Sequence, residues 1–112
     1  MSKKVGEIIR EIRKEKGISL RDMAKDVGVS FVNISYIENG RIETSKEVLR
    51  KISKVLNYDF DKLLSTTNSI DDDITKIINK KPDLVPDFLR TAKNLSTKDW
   101  KNLINQVKKI KK

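Results

Sequence analysis

The sequence predicts an all-α fold, and three observations support this prediction. Only four glycines and two prolines interrupt its 112 residues. Apolar residues recur three and four positions apart, which is the spacing of one face of an α-helix. Serine, threonine and aspartate residues stand just ahead of several of these apolar runs, where their side chains can cap the first turn of a helix. We therefore expect five helices up to residue 65 and three further helices after it.

The first three predicted helices are separated by glycine turns. The first helix ends at Gly17, and Ser19 with Asp22 then forms a capping box that begins the second. Gly28 ends the second helix, and Ser30 caps the third, which closes at an Asn-Gly turn. The faces predicted to be buried are Val5, Ile8, Ile9 and Ile12 in the first helix, Leu20, Met23, Ala24 and Val27 in the second, and Ile34 and Ile37 in the third.

The later helices are predicted from the same two signals. Their starts are marked by Thr44 with Glu47, by Asp59, by Ser69 with Asp72, by Pro86 in a first turn, and by Ser96 with Asp99. Their apolar faces comprise Val48, Ile52, Val55 and Leu56; Phe60, Leu63 and Leu64; Ile74, Ile77 and Ile78; Phe88, Leu89 and Ala92; and Trp100, Leu103, Ile104, Val107 and Ile110. The polar run 65–69 has the composition of a linker. We accordingly divide the chain into a domain at residues 1–65 and a helical region at 66–112.

The composition excludes several classes of protein. Because the chain has no Cys and no His, a disulfide framework and ordinary zinc, haem or iron–sulfur sites are excluded, and we expect no metal and no cofactor. Catalytic triads and Cys–His dyads lose their base for the same reason, and we expect no enzyme. The acidic run 71–73 is better explained as first-turn charge that opposes a helix dipole than as a magnesium site.

No membrane segment is predicted. No apolar stretch approaches the roughly 20 residues that a membrane span requires. The first residues become charged before any apolar run develops, so they do not resemble an export signal. We therefore expect a cytoplasmic protein without a membrane partner.

The chain is strongly basic. Its formal net charge is +9, and its isoelectric point is near 9.8. Such a balance favours a polyanionic partner, most often nucleic acid, although lysines that serve only solubility would explain it equally well. Residues 1–64 carry 14 basic and 10 acidic side chains, which predicts a basic patch on the first domain rather than a basic coating. The lysine-rich end at 108–112 either adds non-specific phosphate attraction or is simply a solvated terminus.

Residues 20–39 satisfy the packing rules of a helix-turn-helix, in which two helices cross steeply over a tight turn. Ala24 is a small residue where the two backbones approach closely, and Gly28 can adopt the positive φ that the turn needs. The positions that point toward the core are all apolar, namely Met23, Val27, Val29, Ile34 and Ile37. Each feature alone is common in helical hairpins, but the complete set in register is rare by chance.

Three stretches resemble the lambda-repressor-like (XRE-type) DNA-binding domain. They are Gly17-Ile-Ser-Leu-Arg-Asp-Met-Ala24, Gly28-Val-Ser30 and Ile37-Glu-Asn-Gly-Arg41, and the resemblance extends over about residues 5–65. It implies a bacterial or phage transcription regulator, usually a repressor, that binds a double-stranded DNA operator as a dimer. The third helix would then enter the major groove, which is wide enough for one α-helix.

The same resemblance assigns roles to individual residues. The base-reading positions are Phe31, Val32, Ser35 and Tyr36, and the phosphate-contacting positions are Arg21, Ser30, Asn33, Asn39 and Arg41. Phe31 and Val32 are suited to contacts with thymine methyl groups, although Phe31 could instead pack against a neighbouring helix, and Tyr36 could equally reach a phosphate. Relatives usually have a phosphate-contacting glutamine where this chain has Leu20, so we expect Arg21 to substitute for it. Arg13 and Glu38 match a structural ion pair of the family rather than DNA contacts.

The region at 66–112 has apolar helix faces that need a partner, because its sequence is too short to build an independent core. Either the DNA-binding domain or a second copy of the chain could cover them, and we favour a homodimer or higher homo-oligomer. The residues predicted for this contact are Phe88, Leu89, Trp100, Leu103, Ile104 and Val107. The layout of the chain resembles regulators of the SinR type, which implies a small antagonist protein that competes for this surface. An antitoxin or another protein-sequestering regulator is the alternative interpretation.

Overall fold

The computed structural model describes residues 2–110 and confirms the all-α prediction for them. Eight α-helices occupy this range: α1 Ser2–Glu15, α2 Leu20–Val27, α3 Phe31–Glu38, α4 Lys46–Leu56, α5 Phe60–Ser65, α6 Asp72–Lys80, α7 Leu84–Thr91 and α8 Thr97–Ile110. The chain forms two compact units, the first ending at Asp72 and the second beginning at Asp73. Among the described helices, none is long and apolar enough to cross a membrane.

The helix starts follow local hydrogen bonds between side chains and backbone. Ser19 Oγ accepts the N–H of Asp22 at 3.0 Å, and Ser30 Oγ accepts the N–H of Asn33 at 3.1 Å, which confirms both predicted caps. Asp59 caps α5 as predicted, since its Oδ1 accepts a backbone N–H two residues on. Each of these bonds satisfies a backbone donor that the first turn of a helix leaves unpaired.

The start of α4 differs from the prediction. Ser45, not Thr44, is the N-cap, and its Oγ accepts the N–H of Val48 at 3.1 Å. Two neighbouring hydroxyl residues can serve equally as a cap, so the pattern alone did not fix which one begins the helix. The inner face is accordingly Leu49, Ile52, Ser53 and Leu56, while Val48 and Val55 are only half-buried. Ser53 is compatible with this face because its hydroxyl donates to the carbonyl of Arg50 at 2.7 Å.

The core of the first unit lies between α1, α2, α3, α4 and α5. Its fully or nearly fully buried members are Val5, Ile9, Met23, Ala24, Val27, Ile34, Ile37, Leu49, Ile52, Leu56, Leu63 and Leu64. Ile8, Ile12 and Leu20 were predicted on inner faces but are only partly buried at the edge of this core. The predicted faces of α1, α2 and α3 therefore point inward as expected.

One close helix contact was not anticipated from the sequence. A Cβ atom added to Gly6 of α1 would lie 2.5 Å from the carbonyl oxygen of Glu38, and it would also clash with the carbonyl oxygen of Ile37. The absence of a side chain at Gly6 therefore allows α1 to pack directly against the end of α3.

The polar segment after α5 is held against the first unit instead of ending it at residue 65. Thr66 and Thr67 donate their hydroxyls to carbonyls of α5, each at 2.7 Å. Lys46 Nζ donates to the carbonyl of Ile70 at 2.8 Å and pairs with Asp72 at 3.0 Å. Together with an Arg50–Asp71 ion pair of 2.9 Å, these bonds carry the first unit to Asp72.

The cap predicted at Ser69 is wrong. Helix α6 begins at Asp72, whose N–H donates to Asp71 Oδ1 at 2.8 Å. Asp71 thus adjoins the first turn, as the interpretation of the acidic run required. The hydrogen bond from Arg50 also holds the pKa of the Asp71 carboxyl below its ordinary value.

The second unit is built around its last two helices. Pro86 lies in the first turn of α7, and Ser96 and Asp99 form the predicted capping box, with a backbone N–H of each donating to the side chain of the other. The rings of Phe88 and Trp100 meet edge to face, with their centroids 6.0 Å apart. Among the described residues of this unit, Ala92 is the one apolar residue that is buried. Most of the apolar surface of the unit therefore faces outward.

Candidate nucleic-acid interface

The turn between α2 and α3 has the tight geometry that the sequence predicts. Gly28 has φ +90° and ψ +28°, a left-handed conformation that glycine adopts without a steric penalty. The N–H groups of Gly28 and Val29 both donate to the carbonyl of Ala24, at 2.8 and 3.1 Å. Ser30 is then extended and caps α3. Across this turn, α2 and α3 pack against each other through their buried faces.

A buried ion pair fixes α3 against α1. Arg13 Nε donates to Glu38 Oε2 at 2.7 Å, and Arg13 Nη2 donates to Glu38 Oε1 at 3.1 Å. The two side chains are only 9% and 4% exposed. Arg13 Nη1 also donates to the carbonyl of Ile18 at 2.9 Å, in the loop before α2. This confirms the predicted structural pair and explains why neither residue belongs to the exposed surface.

The outer face of α3 is apolar and accessible. Phe31, Val32 and Tyr36 are 45%, 43% and 40% exposed, while Ser35 is half-buried between them. A shallow depression of about 210 Å³ lies on this face, and it is lined by Ser30, Val32, Asn33, Tyr36 and Ile42. The four predicted base-reading residues therefore lie on one helix, at its solvent side or partly open to it.

Polar groups border this apolar face at both ends. The Arg21 guanidinium lies over the Phe31 ring, with its carbon 5.2 Å from the ring centroid, and the Arg41 guanidinium lies over the Tyr36 ring at 5.7 Å. Asn39 follows the last turn of α3 and donates to Ser35 Oγ at 3.5 Å. The structure thus places the predicted phosphate-contacting residues next to the predicted base-reading residues.

At the start of α2, Leu20 packs against the core and Arg21 is the exposed polar residue. Leu20 packs at the edge of the core, so it provides no polar contact at the position where the family resemblance implies a glutamine. Arg21 is exposed beside it and reaches toward α3. The Arg21–Phe31 contact could not be predicted from spacing, because the two residues lie on different helices ten positions apart.

The residues predicted for self-association lie in the second unit. There, a groove of about 240 Å³ is lined by Phe88, Trp100, Leu103, Ile104, Val107 and Lys108. The structure thus brings five of the six predicted residues together. Leu89, the sixth, is exposed but does not line the groove.

Comparison with known proteins assigns the fold of the first unit. The helix-turn-helix family of the Cro and XRE type matches residues 9–63, which include α2, α3 and the surface described above. The transcriptional regulator SinR of Bacillus licheniformis is 30% identical over 105 residues, which cover 93% of this chain and 92% of SinR. The chain belongs to the XRE family of helix-turn-helix regulators.

Two further comparisons agree with this XRE-family assignment. The ImmF control region 10 kDa protein of Bacillus phage phi105 is 41% identical over 64 residues, 57% of this chain and 71% of the phage protein. A chain in a solved complex of a SinR protein with a SinI protein is also similar, with 27% identity and a TM-score of 0.53. The match covers 96% of this chain and 97% of the chain in that complex. The chain is therefore a DNA-binding transcriptional regulator.

Proposed function

We propose that this XRE-family regulator is a sequence-specific repressor that binds a double-stranded DNA operator as a dimer or higher oligomer. The exposed face of α3 carries the proposal, because an accessible helix with arginines at both ends has the shape and charge of a major-groove reader. Such a repressor acts in the cytoplasm, where bacterial DNA lies. Its activity requires no metal or cofactor.

The base-reading residues in this proposal are Phe31, Val32, Ser35 and Tyr36. Val32 is apolar and 43% exposed, so it is suited to contact the methyl group of thymine. The hydroxyls of Ser35 and Tyr36 can each donate to or accept from a base edge. A helix with few polar groups would favour A·T pairs at the positions it contacts, because only thymine presents a methyl group in the major groove.

The phosphate-contacting residues in this proposal are Arg21, Ser30, Asn33, Asn39 and Arg41. Ser30 and Asn33 lie at the N-terminus of α3, where free backbone N–H groups favour an anion. The two arginines add positive charge at opposite ends of the same helix. These contacts would position α3 without reading sequence.

Selection of binding sites from random DNA, followed by salt titration, tests the proposal. Arg41→Ala should weaken binding to selected and random duplexes by the same factor, and it should reduce the dependence of log K on log salt by about 0.9. Val32→Ala should instead change the base preferred at one position. Arg10→Ala is the matched control, because it removes one exposed charge from α1, which carries none of the proposed DNA contacts. A flat salt response with retained binding would contradict the phosphate contacts.

We assign oligomerisation to the groove of the second unit. Ile104 and Val107 are 51% and 54% exposed on its wall, and apolar surface of this kind usually lies at a contact with another protein. A second copy of the chain is the proposed occupant. Two linked DNA-binding units would then read half-sites about 34–36 Å apart, and the linkage would raise the effective concentration of the second unit.

Light scattering on the full chain tests this assignment. Ile104→Gln with Val107→Gln should give a monomer that binds a whole operator little better than a half-site. Gln is a good helix former, and the Phe88–Trp100 contact that packs the unit is left intact. Ile110→Gln is the control, since this residue is 81% exposed on the same helix and does not line the groove. A double variant that stays dimeric would assign the contact to another surface.

The groove is also the proposed site for a small antagonist protein. The solved complex of a SinR protein with a SinI protein supports a protein partner for chains of this layout. An antagonist with an amphipathic helical hairpin would compete with the second copy of the chain, and it would release DNA by dissociating the dimer. The alternative is an antitoxin whose C-terminal helices bind a toxin. The neighbouring genes distinguish the two, because an antitoxin is encoded beside its toxin.

A further inference from the structure

Two arginine–aromatic pairs stand at opposite ends of the exposed face of α3. Arg21 comes from α2 and covers Phe31, the first residue of α3, whereas Arg41 comes from the turn after α3 and covers Tyr36 near its end. The rings are five positions apart, which corresponds to about 7.5 Å along a helix axis. Neither arginine extends from α3 itself, but each is held against it.

No carboxylate among the described residues forms an ion pair with Arg21 or Arg41. The ion pairs in this range join Arg13 to Glu38, Lys46 to Asp72 and Arg50 to Asp71. The contact that orients Arg21 and Arg41 is therefore the aromatic ring beneath each of them. A guanidinium that lies over a ring does not use its N–H donors in that contact, so they remain available for two-point contacts with phosphate oxygens.

We infer that Phe31 and Tyr36 are positioning residues, which hold Arg21 and Arg41 toward the DNA backbone at the two ends of α3. This inference rests on the proposed DNA-binding function and deepens it, because it gives Phe31 and Tyr36 a positioning role in place of the base-reading role proposed above. One face of each ring is occupied by an arginine, whereas Val32 between them has no such cover. Val32 is then the apolar side chain that discriminates bases, and the two rings contribute to affinity for every sequence.

The test uses the full chain and two fluorescently labelled duplexes of equal length, a selected operator and a random sequence. Phe31→Leu keeps an apolar side chain but removes the ring. It should weaken binding to both duplexes by the same factor of about two to five, the range of an exposed cation–π contact. The same substitution should have no further effect in an Arg21→Ala background. The Tyr36→Leu and Arg41→Ala pair should behave alike.

Conservative variants guard against a merely structural effect. Tyr36→Phe keeps the ring and should bind random DNA as the parent does, and Phe31→Tyr should do the same. Val32→Ala is the matched comparison, because its loss of affinity should be confined to the operator. Circular dichroism on each variant excludes unfolding as the cause, and both rings are 40% or more exposed, so their loss leaves no cavity in the core.

The outcomes separate the inference from the proposed function. If Phe31→Leu affects the operator alone, or if its effect adds fully to that of Arg21→Ala, the ring is a base contact and the inference is overturned. If the parent chain binds neither duplex at low salt, the proposed DNA-binding function fails at that first step. Coupled losses on both duplexes, with rescue by the aromatic variants, support the inference.

Discussion

Replacing Glu38 tests how α3 is held in place against α1. In Glu38→Ala, Arg13 loses its contacts of 2.7 and 3.1 Å and keeps only the carbonyl of Ile18 at 2.9 Å. The arginine side chain is 9% exposed, so water cannot replace the carboxylate without opening the contact between α1 and α3. The variant therefore leaves a positive charge buried without its counterion.

The expected loss is about 3–5 kcal/mol of unfolding free energy, the usual cost of breaking a buried ion pair by removing one partner. Since small domains are stable by about 5–15 kcal/mol, this is a large fraction of the total. With urea m-values of about 1–3 kcal/mol/M, the unfolding midpoint should fall by about 1 M or more. Urea denaturation followed by circular dichroism measures the midpoint, and hydrogen exchange of the α1 and α3 amides confirms that the first unit is affected.

A double variant separates the buried charge from the lost packing. Arg13→Met with Glu38→Leu removes both charges and keeps apolar side chains in their place, and such replacements are often neutral or stabilising. It should therefore recover most of the stability that Glu38→Ala loses. Glu11→Ala, on the exposed side of α1, is the control and should change stability by no more than about 0.5 kcal/mol.

Two results would refute this reasoning about the ion pair. One is a Glu38→Ala midpoint as high as that of the Glu11→Ala control. The other is a double variant as unstable as Glu38→Ala, which would mean that the pair contributes through shape and hydrogen bonding rather than by neutralising a buried charge.

Three further predictions follow from other contacts. Gly6→Ala should destabilise the first unit by about 1–3 kcal/mol, because the clash with a backbone carbonyl outweighs the helix propensity of alanine. An unchanged midpoint of urea denaturation would contradict the close contact between α1 and α3. Ser45→Ala should cost about 1 kcal/mol and Thr44→Ala much less, since only the first removes the α4 cap. The pKa of Asp71 should lie below 3.8 in an NMR titration, and Arg50→Gln should raise it back toward 3.8. The Arg50–Asp71 contact should stabilise the folded state at pH values above 3.8, and this stabilisation should be lost as the pH falls through the lowered pKa.

The sequence predicted the features that depend on neighbouring residues. The caps at Ser19, Ser30 and Asp59 are bonds over two or three positions, and the inner faces of α1, α2 and α3 follow the helical period. The Arg13–Glu38 pair, 25 positions apart, was expected only from resemblance to the family. The exposed face of α3 was predicted as the complement of its buried face. Its contacts with DNA stay a prediction.

Features that depend on the tertiary arrangement were not predicted. The packing of Gly6 against the end of α3 requires the relative position of two helices, and the Arg21–Phe31 contact requires the same of α2 and α3. The segment after residue 65 has the polar composition of a flexible linker, yet ion pairs from α4 hold it to the first unit. Composition cannot distinguish a free polar segment from one whose polar groups are paired.

The position of the only tryptophan has a practical consequence. Trp100 lines the groove of the second unit, whereas Tyr36 lies on the exposed face of α3 in the first. Tryptophan emission depends on the exposure of the indole ring to water, so an occupant of the groove would shift it without any attached dye. Binding of DNA at α3 would leave that signal unchanged unless it altered the groove. Tryptophan emission of the unlabelled chain can therefore report occupation of the groove separately from DNA binding, and a tryptophan change on addition of DNA would show that the two are coupled.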